Sequence, residues 1–352
     1  AGVAFTTACV LAAVFAGAVR SNANPDYFNL SAVLLAPFAV AVTLALRPMV
    51  TPGRLVLWAL GTPLVLYGFH NWDLPAVAGA AWAYAELERG RLGAAGAALG
   101  LGASAKLYPG FLLPGFVLDR LSARDRPAAK RVVVGFVVAA AVANVPFMVL
   151  NVGNWFRIWT FHARRYPDFG TVWYWLAHHG RRLIPSPGWD PMAGDAAGWY
   201  LQLVSVVSLL LFAAGALWFL WHGWQRARRE GPYPTAAVGL GIVALFLLVS
   251  KVHSPQYSLW VIPLVALLDV PWRYVCAYLA ADVGVFVAGF YYFTVMTVPA
   301  PGWKGLFEVA VLSRAAALGF LVWYATRAVR RYPRGYAPVT PPVTPRVEPA
   351  AA

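Results

Sequence analysis

Two lysines at the ends of apolar segments are the residues of this sequence best suited to binding an anion. Lys106 follows the small-residue run GLGASA and precedes Tyr108, and Lys251 opens the polar stretch KVHSPQY. A lysine at a bilayer edge is tolerated when it reaches the headgroup layer or pairs with an anion, and a lipid phosphate is such an anion. The sequence therefore predicts phosphate-linked lipid chemistry at Lys106, Tyr108 and Lys251, with simple snorkelling of each lysine as the alternative.

The stretch that follows Lys251 gathers several polar side chains between two apolar runs. Pro255 should interrupt a helix there and free backbone groups to line a cavity. His253 could carry a proton or donate to a phosphate, although an isolated histidine is more often an ordinary hydrogen-bonding residue. The candidate catalytic and substrate-binding residues of this stretch are Lys251, His253, Ser254, Gln256 and Tyr257.

One acidic residue stands where an apolar helix meets the same side of the membrane. Asp73 ends the sequence HNWD, directly before an apolar run. One interpretation is a helix N-cap or first-turn charge, which the helix dipole favours. The other is a carboxylate that faces an outward cavity, where it could contact an acceptor hydroxyl or remove its proton.

Basic and aromatic residues are concentrated in HARRYPDFGTVW, residues 162–173. Arg164 and Arg165 could bind a phosphate bidentately, because the guanidinium group matches phosphate geometry. Trp173 could stack on a sugar or an isoprenoid. The alternative is an interfacial helix that rests on anionic lipid.

The sequence contains no pattern for a metal or a nucleotide cofactor. His178 and His179 are adjacent and do not share a helical face, and no other metal-ligand spacing occurs. A Walker loop, a Rossmann fingerprint and a nucleophile elbow are also missing from the sequence. We therefore predict no metal and no cofactor.

The elements that position these residues are expected to be membrane helices. The chain has 352 residues, of which 60% are hydrophobic and 12% charged, and its mean hydropathy is +0.62. Long continuous apolar runs favour helices over alternating strands. We predict an all-α, polytopic transmembrane bundle of about 10 to 12 membrane helices, multi-pass in the cell membrane. Asp282 and Arg314 lie within apolar runs, so we expect them to pair structurally.

The net charge of +14 arises from basic clusters between the apolar runs. This distribution follows the positive-inside rule and does not resemble a nucleic-acid footprint, so no nucleic-acid partner is predicted. If the clusters are cytoplasmic, every second connection is cytoplasmic and residues 151–196 form a long external loop. The transmembrane domain would then occupy residues 1–331, and a disordered Pro-rich cytoplasmic tail would occupy residues 332–352.

Five stretches of the sequence resemble glycosyltransferase family 87 in the order in which they occur. The KLYP and SPQY elements among them are specific. The family contains membrane enzymes of the GT-C type that depend on polyprenyl-phosphate sugars, including mycobacterial mannosyltransferases. The stretches are PDYFNLSAVLLAP (25–37), HNWDLPAVAGA (70–80), GLGASAKLYPGFLLP (100–114), RYPDFGTVWYWL (165–176) and SKVHSPQYSLWVIPL (250–264).

The resemblance implies a GT-C fold with an outward-facing active site in an actinobacterial-like cell envelope. It also implies inverting transfer of a sugar, expected to be mannose, from a polyprenyl-phosphate donor to a lipid or glycan acceptor. Such enzymes carry a catalytic Asp in a large first external loop, whereas this sequence begins within or after that loop. Residues 1–19 would then be the closing helix of the loop, and the base would precede them. His253 stands where relatives often carry an aromatic residue.

Charge and position assign the remaining roles. A polyprenyl phosphate is already a leaving group, so cations must stabilise its developing charge while a carboxylate deprotonates the acceptor hydroxyl. Lys106, Lys251 and the loop arginines suit the first role, and Asp73 suits acceptor contact or the role of base. The competing class is a transporter or lipid flippase, which should show inverted repeats and helices broken at the midplane. A structural membrane scaffold is a third class.

Overall fold

The computed structural model describes residues 25–180, 198–294 and 303–330, and every regular element in these ranges is helical. The predicted all-α bundle is thus confirmed. The predictions for residues 1–19 and for the tail 332–352 lie outside the described residues. So do Arg181 and Arg182 of the predicted external loop.

The described chain forms thirteen α-helices and one 3-10 turn, Pro255–Tyr257. The helices are α1 (Pro25–Leu46), α2 (Pro52–Leu60), α3 (Thr62–Tyr67), α4 (Leu74–Glu88), α5 (Leu92–Ala105), α6 (Tyr108–Ser122), α7 (Arg126–Arg164), α8 (Val172–Gly180), α9 (Gly198–Glu230), α10 (Thr235–Val249), α11 (Ser258–Leu267), α12 (Trp272–Thr294) and α13 (Trp303–Arg330).

Five helices of the described ranges are long and apolar enough to cross a membrane: parts of α1, α7, α9, α12 and α13. The predicted 10 to 12 membrane helices included shorter apolar runs, which form short helices here. Two of these, α10 and α11, bury most of their residues on all sides. A helix that is apolar all round belongs in the interior of a bundle, so these two helices form its core.

The region predicted as a long external loop is partly helical. Residues 151–164 continue α7 beyond Asn151, whose non-helical backbone (φ −161°, ψ 91°) marks a kink. Helix α8 follows after a short non-helical segment, 165–171, which ends in a turn. The side of the membrane on which this region lies stays a prediction.

Helices α5 and α7 pack with their backbones in close contact. A Cβ atom placed on Gly96 would lie 1.9 Å from the Val132 carbonyl oxygen, and one on Gly100 would lie 2.4 Å from that of Phe136. Small residues permit such an approach between membrane helices. Because α5 is held so closely, the position of Lys106 at its end is well defined.

A buried polar network joins α11, α12 and α13. The Arg314 guanidinium lies 3.6 Å from the Asp282 carboxylate, which confirms the expected pair. The Ser258 hydroxyl donates to Asp282 (2.5 Å), and Arg314 also donates to the Gly170 carbonyl (3.1 Å). The network therefore anchors the 165–171 segment to the core of the bundle, where an unpaired charge would be costly.

Candidate active site

Four breaks between helices carry most of the predicted site residues. They lie before α4, between α5 and α6, between α7 and α8, and between α10 and the 3-10 turn. Non-helical backbone at membrane depth is tolerated where it is buried in protein or lines a cavity. The breaks contact one another through the side chains and backbone groups described below.

Asp73 and Lys106 form an ion pair between the start of α4 and the end of α5. The Lys106 ammonium lies 3.6 Å from Oδ2 of Asp73, whose side chain is completely buried, whereas the Lys106 side chain is 25% exposed. Asp73 occupies an N-cap position, but its side chain makes no capping hydrogen bond. The Asp73 side chain therefore pairs with Lys106 and does not cap α4, and its role in chemistry stays a prediction.

Two further groups stabilise the Asp73 carboxylate. The indole Nε1 of Trp260 donates to Oδ1 of Asp73 at 2.8 Å. Burial raises the pKa of Asp73, while the Lys106 charge, the Trp260 indole and the Gln256 amide oppose that shift. A carboxyl group with a raised pKa binds a proton more readily, which suits a group that must accept one from a hydroxyl.

Three aromatic rings stack beside this carboxylate. Trp260 lies between Tyr108 and Tyr257, with ring centroids 4.4 Å and 4.0 Å apart and interplanar angles of 12° and 25°. Tyr108 and Trp260 are almost fully buried. The stack fixes the indole that binds Asp73 and joins the predicted residues Tyr108 and Tyr257 in one cluster.

Lys251 connects its segment to α7 and α9. Its Nζ donates to the Ala163 carbonyl oxygen (2.9 Å) and to the Ser205 hydroxyl (2.8 Å). Burial lowers the pKa of Lys251. A lysine ammonium has three N–H donors, so one remains for a ligand after these two bonds.

Contacts through Asp168 link Arg165 to the segment of Lys251. Arg165 lies 3.8 Å from the Asp168 carboxylate, and the Asp168 amide donates to the Lys251 carbonyl (2.8 Å). The convergence of Lys106 and Lys251, which are 145 positions apart in sequence (251 − 106), stays a prediction.

His253 lies beside Tyr257 of the aromatic stack. Its ring is buried and faces Tyr257 with the centroids 6.2 Å apart. Burial lowers the pKa of His253 well below its usual range, with the Arg314 charge acting in the same direction. Both effects favour the neutral imidazole, and its Nε2 has no hydrogen-bond partner among the described residues.

The remaining predicted residues differ in their burial and in their contacts. Gln256 is buried near Asp73, and Ser254 hydrogen-bonds Tyr257. Arg164 is exposed at the end of α7. Trp173 donates from its indole to the Val249 carbonyl (2.7 Å), which joins α8 to α10, and stacking of its ring on a ligand stays a prediction.

Sequence reasoning did not single out two residues of the site, Trp260 and Ser205. Trp260 ends SPQYSLW three positions after Tyr257, the spacing that places side chains on one face of a helical turn. Ser205 lies within an apolar run and carries no local signal. Among the described residues, no three His, Cys, Asp or Glu side chains come together to hold a metal ion.

The described chain is a bundle of membrane helices, and a buried carboxylate and several cations lie among its helix breaks. These features define a polytopic membrane protein with a polar site. The family model for glycosyltransferase family 87 matches residues 3–251, so the chain belongs to this family. The protein is therefore a membrane glycosyltransferase, as the resemblance predicts. The matched residues include Asp73, Lys106, Arg165 and Lys251. A search of curated proteins finds no match.

Proposed function

We propose that the protein transfers a sugar, expected to be mannose, from a polyprenyl-phosphate donor to a lipid or glycan acceptor at the external face of the cell membrane. The proposal rests on the buried Asp73–Lys106 ion pair (3.6 Å) and on the contacts that link Lys251 to Arg165 through Asp168. Lys106 and Arg165 each have one carboxylate partner, so a phosphate with several oxygens would add to their contacts and to those of Lys251.

The donor phosphate would bind between these cations. Lysine acts as a mobile point charge, which suits a phosphate that must depart, whereas Arg165 offers a planar fork. As the bond between the anomeric carbon and the phosphate oxygen breaks, negative charge grows on the departing polyprenyl phosphate. Preorganised cations beside the departing phosphate lower the free energy of the transition state.

Asp73 is our candidate for the general base among the described residues. The acceptor hydroxyl oxygen would attack the anomeric carbon from the face opposite the phosphate, which inverts the configuration. Its proton would pass to the Asp73 carboxylate, whose raised pKa favours proton uptake. Lys106 would lie between the base and the leaving group, because it pairs with Asp73 and would also contact the donor phosphate.

The experiment measures transfer of radiolabelled mannose from a synthetic polyprenyl-phosphate mannose to a membrane lipid extract by the purified protein in nanodiscs. We expect Lys106→Gln and Lys251→Gln to lower kcat by about 100-fold, the effect of removing one preorganised charge-stabilising group. Arg126→Gln is the matched control, because this cation is exposed at the start of α7 and should leave transfer unchanged.

The proposal fails if both lysine variants transfer mannose as fast as the wild-type protein. It also fails if the wild-type protein moves labelled polyprenyl-phosphate mannose across a vesicle membrane without forming product, which would indicate a flippase. A soluble nucleotide sugar used in place of the polyprenyl donor would contradict the donor class.

A further inference from the structure

A groove of about 520 Å³ lies between the first turns of α5 and α7, apart from the candidate active site. Its volume falls within the range of about 300–1,000 Å³ that is usual for small-molecule sites. The walls are mostly apolar, and two cations stand among them. The lining residues that matter here are Gly93, Ala97, Lys130, Arg131, Val134 and Val138.

The apolar wall of the groove is exposed on the surface of the bundle. Val134 is 47% exposed and Val138 is 55% exposed, one turn of α7 apart. On a membrane helix, such a surface faces lipid acyl chains. The floor is formed where the two helices touch, because a Cβ atom on Gly135 would lie 2.1 Å from the Gly93 carbonyl oxygen.

The two cations of the groove are free to bind an anion. Lys130 and Arg131 are both exposed, and neither forms an ion pair with a described residue. They lie one turn before Val134 and two turns before Val138 along α7. A molecule with a negative head and an apolar tail therefore matches the groove from end to end.

The groove and the candidate active site lie at opposite ends of α5. Gly93 is in the first turn of this helix, and Lys106 follows its last residue. The rise along 14 helical residues is roughly 21 Å, so the two sites lie in different layers of the bilayer. The basic residues Arg89, Arg91 and Arg124 share the end of the bundle where the groove lies, which favours the cytoplasmic leaflet.

We propose that this groove binds one anionic phospholipid of the cytoplasmic leaflet. The phosphate would contact Lys130 and Arg131, and an acyl chain would lie along Val134 and Val138 above Gly93. The charge of the rim argues for an anionic lipid over a zwitterionic one. This binding site is separate from the transfer of sugar and does not depend on the proposed function.

Native mass spectrometry of the full chain in detergent tests the proposal, with phosphatidylglycerol and phosphatidylcholine of identical acyl chains as probes. We expect one phosphatidylglycerol to be retained in preference to phosphatidylcholine. Removal of each cation should weaken binding about 5-fold, and Lys130→Gln/Arg131→Gln together about 30-fold. Soluble glycerophosphoglycerol should not displace the lipid, because it lacks the acyl chain.

Two single variants separate a built site from general attraction to the membrane surface. Gly93→Leu should fill the groove and reduce retention, since a Cβ on Gly93 meets nothing within 4 Å and leucine favours a helix. Arg126→Gln removes a neighbouring cation that does not line the groove and should change retention less than about 2-fold.

Three results would overturn the proposal. The first is retention of phosphatidylcholine equal to that of phosphatidylglycerol, and the second is unchanged phosphatidylglycerol retention in both the double variant and Gly93→Leu. The third is a loss of retention in Arg126→Gln as large as that in the double variant, which would indicate only annular lipid. Circular dichroism of each variant in the same detergent checks that the helical content is retained, so a loss of binding can be assigned to the groove.

Discussion

Asp73 is completely buried, and a buried carboxylate stays charged only where its neighbours replace the lost water. Lys106 supplies an opposite charge and Trp260 supplies a hydrogen bond, so the group keeps two sources of stabilisation. Because both come from parts of the chain far from Asp73, the protonation state of this residue depends on the correct packing of α4, α5 and α11.

Replacement of Trp260 tests how the protonation state of Asp73 is controlled. In Trp260→Phe the indole N–H is lost, and the ionised form of Asp73 is less well stabilised, so its pKa rises further. A base must be deprotonated to act, so the acid limb of the kcat/KM profile should move to higher pH. The loss of one buried hydrogen bond should also destabilise the fold by about 1–2 kcal/mol.

Trp58→Phe is the matched control for this experiment. The Trp58 indole donates to the Ala39 carbonyl at 3.3 Å, in a buried region between α1 and α2. Its loss should cost similar stability without moving the pH profile. An unchanged profile in Trp260→Phe, or an equal shift in both variants, would remove Asp73 from the role of base.

Residue types and their local context singled out Asp73, Lys106 and Lys251, and their roles as site residues stay predictions. Their partners were harder to predict, because a contact between Asp73 and Trp260 joins positions 187 residues apart. The contact of the Trp173 indole with the backbone of α10 likewise carries no local signal in the sequence.

At the scale of helices, the contact between α5 and α7 depends on glycine. Gly96→Ala would place a methyl group 1.9 Å from the Val132 carbonyl oxygen, so the helices must separate. Overpacking of this kind costs about 1–3 kcal/mol. We expect a lower melting temperature and slower sugar transfer, because Lys106 moves with α5.

Gly93→Ala provides the control on the same helix. A Cβ atom there meets nothing within 4 Å, so this variant should melt at or slightly above the wild-type temperature. If Gly96→Ala and Gly93→Ala have equal stability and activity, the close approach of α5 and α7 does not position the site.

Helix boundaries were predicted best where proline or glycine interrupts an apolar run. The break at Pro255 was expected from its sequence and occurs as a 3-10 turn. For the arginines and tryptophans of residues 151–164, the sequence left an external loop and an interfacial helix as alternatives, and the structure forms a helix there. Helical periodicity there is weak, and the tertiary contacts of Asn144 with Trp155 (3.1 Å) help to hold this segment.

At the scale of the whole molecule, the orientation in the membrane can be measured directly. In a variant with Cys9→Ser and Cys276→Ser, Tyr166→Cys should react with an impermeant maleimide in intact cells. Ala123→Cys should react only after permeabilisation. Both positions are exposed, and they belong to the connections that the basic clusters place on opposite faces.

The reverse labelling pattern would contradict sugar transfer at the external face, because Tyr166 is next to Arg165, one of the cations proposed to bind the donor phosphate. Labelling of both cysteines in intact cells would indicate leaky cells, which a cytosolic protein blotted in the same samples would reveal. The orientation was predicted from the basic clusters of the sequence alone. This is possible because the difference in charge between the two sides acts during membrane insertion and does not depend on how the helices pack.

The length of α5 has a consequence for the surrounding bilayer. Its 14 residues rise roughly 21 Å, whereas the hydrocarbon core of a typical bilayer is about 30 Å thick. Leu101 on this helix is exposed, so α5 contributes to the outer surface of the bundle. Hydrophobic mismatch of this size is relieved by thinning of the adjacent lipid. The membrane beside Lys106 should therefore form a shallow depression, into which a phosphate headgroup can descend without leaving its leaflet.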